Sequence, residues 1–274
     1  MAAIRKNTDE MTFMEHLEEL RWHIVRIVVV VVLISIVFLI YPQFVFDQII
    51  LAPKNPDFIT YRMFCSLGER YHISGICVET LDYKLFYLNL SSPFLLYIKI
   101  AFMAGLIFAF PYILWEVWRF VKPALLDKEK SSLGGIILIA TGLFYFGALF
   151  GYFLLAPFSI NFLAQFTLST QIENQFTFDS YLGILTGMVL WTGVIFEIPM
   201  IAYFLAKVGL LGRDFLANNR KYAFVVSLVL AAIITPSGDV FSLLLVATPL
   251  WILYEVSIVV VMMVERRRNK EAMQ

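Results

Sequence analysis

Apolar runs long enough to cross a bilayer alternate with short charged segments along most of this chain. A helix needs roughly 20 apolar residues to traverse the hydrocarbon core. On that measure the pattern predicts spans near Ile24–Phe46, Pro93–Val121, Leu133–Leu155, Tyr181–Lys207, Tyr222–Thr235 and Val240–Val264. The fifth is short: Tyr222 to Thr235 rises only about 21 Å at 1.5 Å per residue, which calls for thinned lipid or a protein-lined end. The expected fold is all-α, a single polytopic membrane domain over 1–274 with six transmembrane helices. Its fifth helix is short, and a short sixth is left open.

The segment entering the first span carries a second pattern. Residues 10–23 read as an amphipathic helix at the cytosolic surface, opened by the capping box Thr12-Phe13-Met14-Glu15. Phe13, Leu17, Leu20 and Ile24 make an apolar face, while Glu15, Glu19 and His23 share another at i, i+4 and i+8. One reading of the acids is a binding surface. The other is a solvated face with Glu18 paired to Arg21 at i, i+3.

Composition agrees with a membrane location. Of 274 residues 60% are hydrophobic and 15% charged, with a mean hydropathy of +0.80, too apolar for a soluble domain. The 21 basic and 21 acidic residues cancel, but their placement is asymmetric. Arg5, Lys6, Arg21, Arg119, Lys122, Lys128, Lys130, Lys207, Arg213, Arg220, Lys221, Arg266, Arg267, Arg268 and Lys270 fall on one side; Lys54, Arg62, Arg70 and Lys84 fall on the other. The positive-inside rule therefore predicts cytosolic N- and C-termini, with a tail at 265–274. The first span follows acids and lacks a small-residue cleavage site, so it reads as retained. No internal repeat is evident.

An extended first outer loop, 47–92, holds both cysteines, Cys65 and Cys77. In an oxidising compartment they are a disulfide candidate; the alternative is two free thiols.

Enzyme chemistry finds no support. His16, His23 and His72 lack the H-E-x-x-H spacing of a zinc site, no serine has a plausible base beside it, and no phosphate-binding or dinucleotide fingerprint occurs. No metal, cofactor or nucleic-acid partner is expected. Within the membrane Glu197 stands out, because an intramembrane carboxyl is costly. Pro199 lacks the N–H for the Ile195 carbonyl and should kink that helix. Glu197 has two readings, a functional concavity or a hydrogen bond to a neighbouring helix. Glu116, Glu255 and Lys99 lie nearer the span ends and are set aside as rim or snorkelling groups.

Four segments occur in register with these spans: H-L-E-E-L-R (His16 to Arg21), F-V-K-P-A-L (Phe120 to Leu125) followed by Glu129, F-E-I-P (Phe196 to Pro199), and T-P-S-G-D-V-F-S (Thr235 to Ser242). Together they resemble the TatC family of the twin-arginine translocase over essentially the whole chain. Lys130, the Ser237-Gly238 pair, Leu243 and the long first outer loop depart from the pattern; Leu243 puts one partner contact in doubt.

The resemblance implies a receptor for signal peptides bearing consecutive arginines, at the core of a translocase that moves folded proteins across the bacterial cytoplasmic membrane on the proton-motive force. It places Glu19 and Glu129 on the arginine pair, with Phe120 packing beside them and Arg21 orienting the acids; Glu15 and Glu18 remain as substitutes. It also implies single-span partners of the TatA/TatB type docking near Glu197, Pro199 and Asp239, membrane lipids, and homo-oligomers within the complex. The residues without the resemblance leave open a small-molecule transporter using Glu197, or a structural scaffold.

Overall fold

A computed structural model describes residues 13–71, 83–121, 133–167, 169, 171, 174–235 and 240–272. The chain is mostly helical. The opening amphipathic segment and the first span form one helix, α1 (Phe13–Ile40), with no break between them. Then come α2 (Ile59–Tyr71), α3 (Ser92–Val121), α4 (Leu133–Phe150) and α5 (Ala156–Gln165), the last two joined through a π-helical turn at Gly151–Leu155. The remaining helices are α6 (Phe178–Ile195), α7 (Ile198–Lys207), α8 (Arg213–Asn218), α9 (Arg220–Ile234) and α10 (Val240–Ala272).

Among the described residues five helical stretches are long and apolar enough to cross a membrane: Leu17–Ile40, Ser92–Phe120, Gly134–Gln165, Phe178–Lys207 and Leu243–Arg268. The remaining predicted span corresponds to α9, which has 15 residues and rises about 22 Å, short of the roughly 30 Å core. A short last helix does not occur, because α10 runs for 33 residues. It continues through most of the expected tail: Glu265 to Ala272 stay helical.

Packing follows close backbone approaches. Antiparallel α1 and α3 lie along one another, α4 packs on α6, and α10 packs on both α7 and α9. A Cβ on Gly105 of α3 would stand 2.1 Å from Ser35 Oγ and 3.0 Å from the Ser35 backbone nitrogen. Glycine there lets the two helices touch, a means of association that suits lipid-immersed helices. Gly151 plays the same part between the α4–α5 turn and α6, with Thr192 Oγ1 at 2.2 Å and the Met188 carbonyl oxygen at 2.7 Å from a Cβ. The largest buried cluster, around Leu155, Leu182, Leu185, Ala231, Val246 and Leu250, joins the α4–α5 turn, α6, α9 and α10.

Among the described residues the fold departs from all-α in one place. Leu85–Phe86 (β1) pairs in parallel with Phe176–Thr177 (β2), tying together the segments that enter α3 and α6. The expected loop before α3 is organised: a π-helical turn at Phe44–Ile50, a 3-10 turn at Ala52–Lys54 and α2 occupy much of it. Tyrosines pin this cap to the bundle. The Tyr152 hydroxyl donates to the Ile49 carbonyl at 2.7 Å and that of Tyr181 to the Ile50 carbonyl at 2.7 Å. Tyr61 donates toward the carbonyls of Pro53 (3.1 Å) and Pro157 (3.2 Å). Cys65, on α2, is disulfide-bonded; Cys77 lies outside the described residues.

Candidate functional site

Near the start of α1 and the end of α3 a polar cluster is buried between the two helices. Glu116 is 1% exposed and His23 4%. His23 Nδ1 and Glu116 Oε2 share a hydrogen bond, and the Tyr112 hydroxyl donates to Glu116 Oε1 at 2.8 Å. Arg26 Nη1 lies 3.8 Å from Glu116 Oε2. Both carboxylate oxygens are therefore engaged, which a buried charge requires. The Phe120 ring meets His23 edge-on, with centroids 5.8 Å apart.

Of the predicted acids, Glu18 and Glu19 lie on α1 within two turns of His23. Glu19 is half-buried and lies one helical turn before His23, on the same face of α1. Arg21 is exposed, 3.4 Å from the equally exposed Glu18 and stacked near the Trp22 ring at 5.7 Å. That is the solvated i, i+3 pair of the sequence pattern, and the described contacts of Arg21 lie with Glu18 and Trp22. Glu129 lies outside the described residues.

Sequence reasoning passed over Glu116 and His23. Glu116 reads as a rim group on α3 alone, since nothing local shows that α1 covers it. A signal was present in the i, i+4 pair Tyr112 and Glu116 on α3 and in a histidine four residues after Glu19. Lys99, read as snorkelling, pairs with Asp179 at 3.0 Å. Glu255 holds Arg220 at 2.9 Å, joining α10 to α9.

Glu197 occupies the turn between α6 and α7 and is 6% exposed. The break falls at Phe196–Glu197, directly ahead of the turn in which Pro199 opens α7 and is itself buried. Phe196 and Glu197 nitrogens close the end of α6 onto Thr192 and Val194 carbonyls. Glu197 Oε1 is buried with no hydrogen-bond partner among the described residues. Asp239 lies outside them.

Fold and site thus define a multi-pass helical membrane protein whose first two long helices are locked by a buried polar cluster, with Glu18 and Glu19 just ahead of it on α1. Comparison with known proteins gives the family. The family model described as Sec-independent protein translocase protein (TatC) matches residues 15–249, and the chain belongs to that family. It is 39% identical over 267 residues to the Sec-independent protein translocase protein TatC of Blattabacterium sp. subsp. Periplaneta americana, covering 97% of this chain and 100% of the relative. With TatCy of Bacillus subtilis the identity is 30%, over 98% and 95% of the two chains. A crystal structure described as the twin arginine translocase receptor TatC superposes with a TM-score of 0.67 at 30% identity, covering 92% of this chain and 100% of that one. A second, in DDM, gives a TM-score of 0.68 at 31% identity over 89% and 98%. This is a family of transport proteins of the Tat translocase.

Proposed function

We propose that this chain is the signal-peptide receptor and core component of a twin-arginine translocase, exporting folded proteins across the bacterial cytoplasmic membrane on the proton-motive force. The observation that carries the reading is the buried His23–Glu116 pair with Phe120 against it. It fixes the start of α1 to the end of α3, so that Glu19 stands near the end of the helix from which the chain runs on toward Glu129. Two carboxylates there would meet the planar forks of two guanidiniums in charge-assisted pairs that an ammonium does not reproduce. Arg21 then serves the acidic surface through Glu18 rather than as a ligand. Both termini lie in the cytosol, and α9 completes six spans where the lipid thins. Single-span partners of the TatA/TatB type dock along the α6–α7 break at Glu197 and Pro199 and near Asp239, and several copies of the chain assemble in the complex.

The test is site-specific photocrosslinking from positions 19 and 129 to a signal peptide bearing Arg-Arg and to its Lys-Lys counterpart. Crosslinks that disappear with Lys-Lys are expected. Equal crosslinks with both peptides, or none with either, overturn the receptor assignment.

A further inference from the structure

At the end of the bundle away from Glu19, where α1 stops and α3 and α6 begin, two cavities lie side by side. The smaller, about 280 Å³, contains Lys99 and Asp179, which neutralise one another at 3.0 Å. The larger, about 450 Å³, contains Lys54 and Lys84 and no acidic residue. Among the described residues neither of these two lysines lies within ion-pair distance of a carboxylate. On the described contacts both are cations of this face without a balancing acid.

Both are presented from anchored backbone. Lys54 ends the 3-10 turn that begins at Ala52, its amide bonded to the Leu51 carbonyl at 3.1 Å, and its Nζ stands 5.5 Å from the Tyr83 ring centre. Lys84 immediately precedes β1, which is tied to β2. The cavity wall is aromatic. Phe46 stacks on Phe178 with centroids 4.9 Å apart, and Tyr87 meets Phe178 edge-on at 5.7 Å. Phe178 is the first residue of the apolar stretch Phe178–Lys207, and nearby Tyr41 and Phe44 are exposed. The rings therefore mark the depth at which hydrocarbon gives way to headgroups, where aromatic side chains collect.

We infer that Lys54, Lys84 and the Phe46–Phe178–Tyr87 wall form a binding site for the headgroup of an anionic phospholipid. Two ammonium groups above an apolar wall match a phosphodiester above its acyl chains: the phosphate takes the lysines, and the glycerol backbone and first methylenes lie on the rings. Basic clusters at a membrane surface attract anionic lipid in this way, and the cavity is of a size to hold a headgroup. A zwitterionic lipid would bring its own cation toward the lysines. The same phosphate chemistry is offered by free phosphate, but the apolar wall gains nothing from it.

The experiment is native mass spectrometry of the full chain released from detergent supplemented with phosphatidylglycerol, phosphatidylcholine or inorganic phosphate. Wild type should retain phosphatidylglycerol in preference to phosphatidylcholine. The K54Q/K84Q variant should lose that retention by roughly one order of magnitude or more, while K54R/K84R keeps it. Lys84 is exposed and Lys54 half-buried, neither belongs to the core, and unchanged melting temperatures in detergent would certify the fold. Equal retention by wild type and K54Q/K84Q, or equal retention of the two lipids, overturns the site. Inorganic phosphate that displaces the lipid at millimolar concentration and binds as tightly alone overturns the lipid assignment in favour of a plain phosphate site.

Discussion

His23 on α1 and Glu116 on α3, 93 positions apart in sequence, share a hydrogen bond in a place where both are almost wholly buried. Tyr112 takes the second carboxylate oxygen. Removing one member leaves the other polar and dry, at a cost of about 3–5 kcal/mol for a buried pair. Glu116→Ala should therefore lower the melting temperature in detergent sharply, and Glu116→Gln, which keeps a hydrogen-bonding partner for both neighbours, far less. The double variant His23→Ala/Glu116→Ala should cost less than the sum of the singles. Additive effects would show that the two residues do not act as a pair.

Gly151 tests the close approach that seats α6. A Cβ there meets the Thr192 hydroxyl and, at 2.7 Å, the Met188 carbonyl oxygen. The hydroxyl can turn aside, but the backbone cannot without moving the helix. Gly151→Ala should destabilise by about 1–3 kcal/mol, and adding Thr192→Ala should recover only part of it. Full recovery, followed as melting temperature, would mean that the side chain alone sets the limit.

The cap over the end of the bundle where α3 begins should loosen in alkali. Burial raises the Tyr61 phenol well above its ordinary value, and the nearby Tyr83 adds to this; burial pushes Tyr83 up to about 12. Unfolded tyrosine titrates near about 10. A folded value above the unfolded one gives stability that is complete below about pH 10 and declines as pH rises from there toward the folded values, because the unfolded chain releases its protons first. Between about pH 9 and pH 11 the wild type should lose melting temperature more steeply than Tyr61→Phe. At neutral pH the same variant should be weaker by about 1 kcal/mol, having lost its hydrogen bond to the proline carbonyls. Parallel pH profiles would show that Tyr61 contributes nothing to the alkaline loss.

What the sequence made legible is what depends on neighbours within a turn or two. The helical course of the opening segment, the shortness of α9 and the disturbance caused by Pro199 all follow from local spacing. So does the exposed Glu18–Arg21 pair. The buried cluster was hidden because the burial of Glu116 depends on Gly105 letting α1 lie against α3, a long-range fact. The order in the loop before α3 was hidden for the same reason: its carbonyls are satisfied by tyrosines from far along the chain, Tyr152 and Tyr181. The length of α10 escaped because charge ends an apolar span without ending a helix, and Arg266, Arg267 and Arg268 simply continue it into water.

Glu197 separates stability from function. Its Oε1 is buried without a partner among the described residues, and a polar atom in that state costs the fold rather than supporting it. Glu197→Met, similar in length and apolar, should therefore leave the melting temperature unchanged or raise it by a few degrees. If the carboxyl is kept for a docking partner, the same variant should lose crosslinking between the α6–α7 break and a single-span partner while its amount in the membrane holds steady. Glu197→Gln, which retains hydrogen-bonding capacity, should keep part of the crosslink. The opposite pattern, a destabilised protein whose partner crosslinks persist, would make Glu197 a structural residue and remove it from the docking surface. Both readouts come from one preparation, and the expected signs differ: stability flat or up, partner contact down, as at sites where a group is held for binding at the expense of the fold.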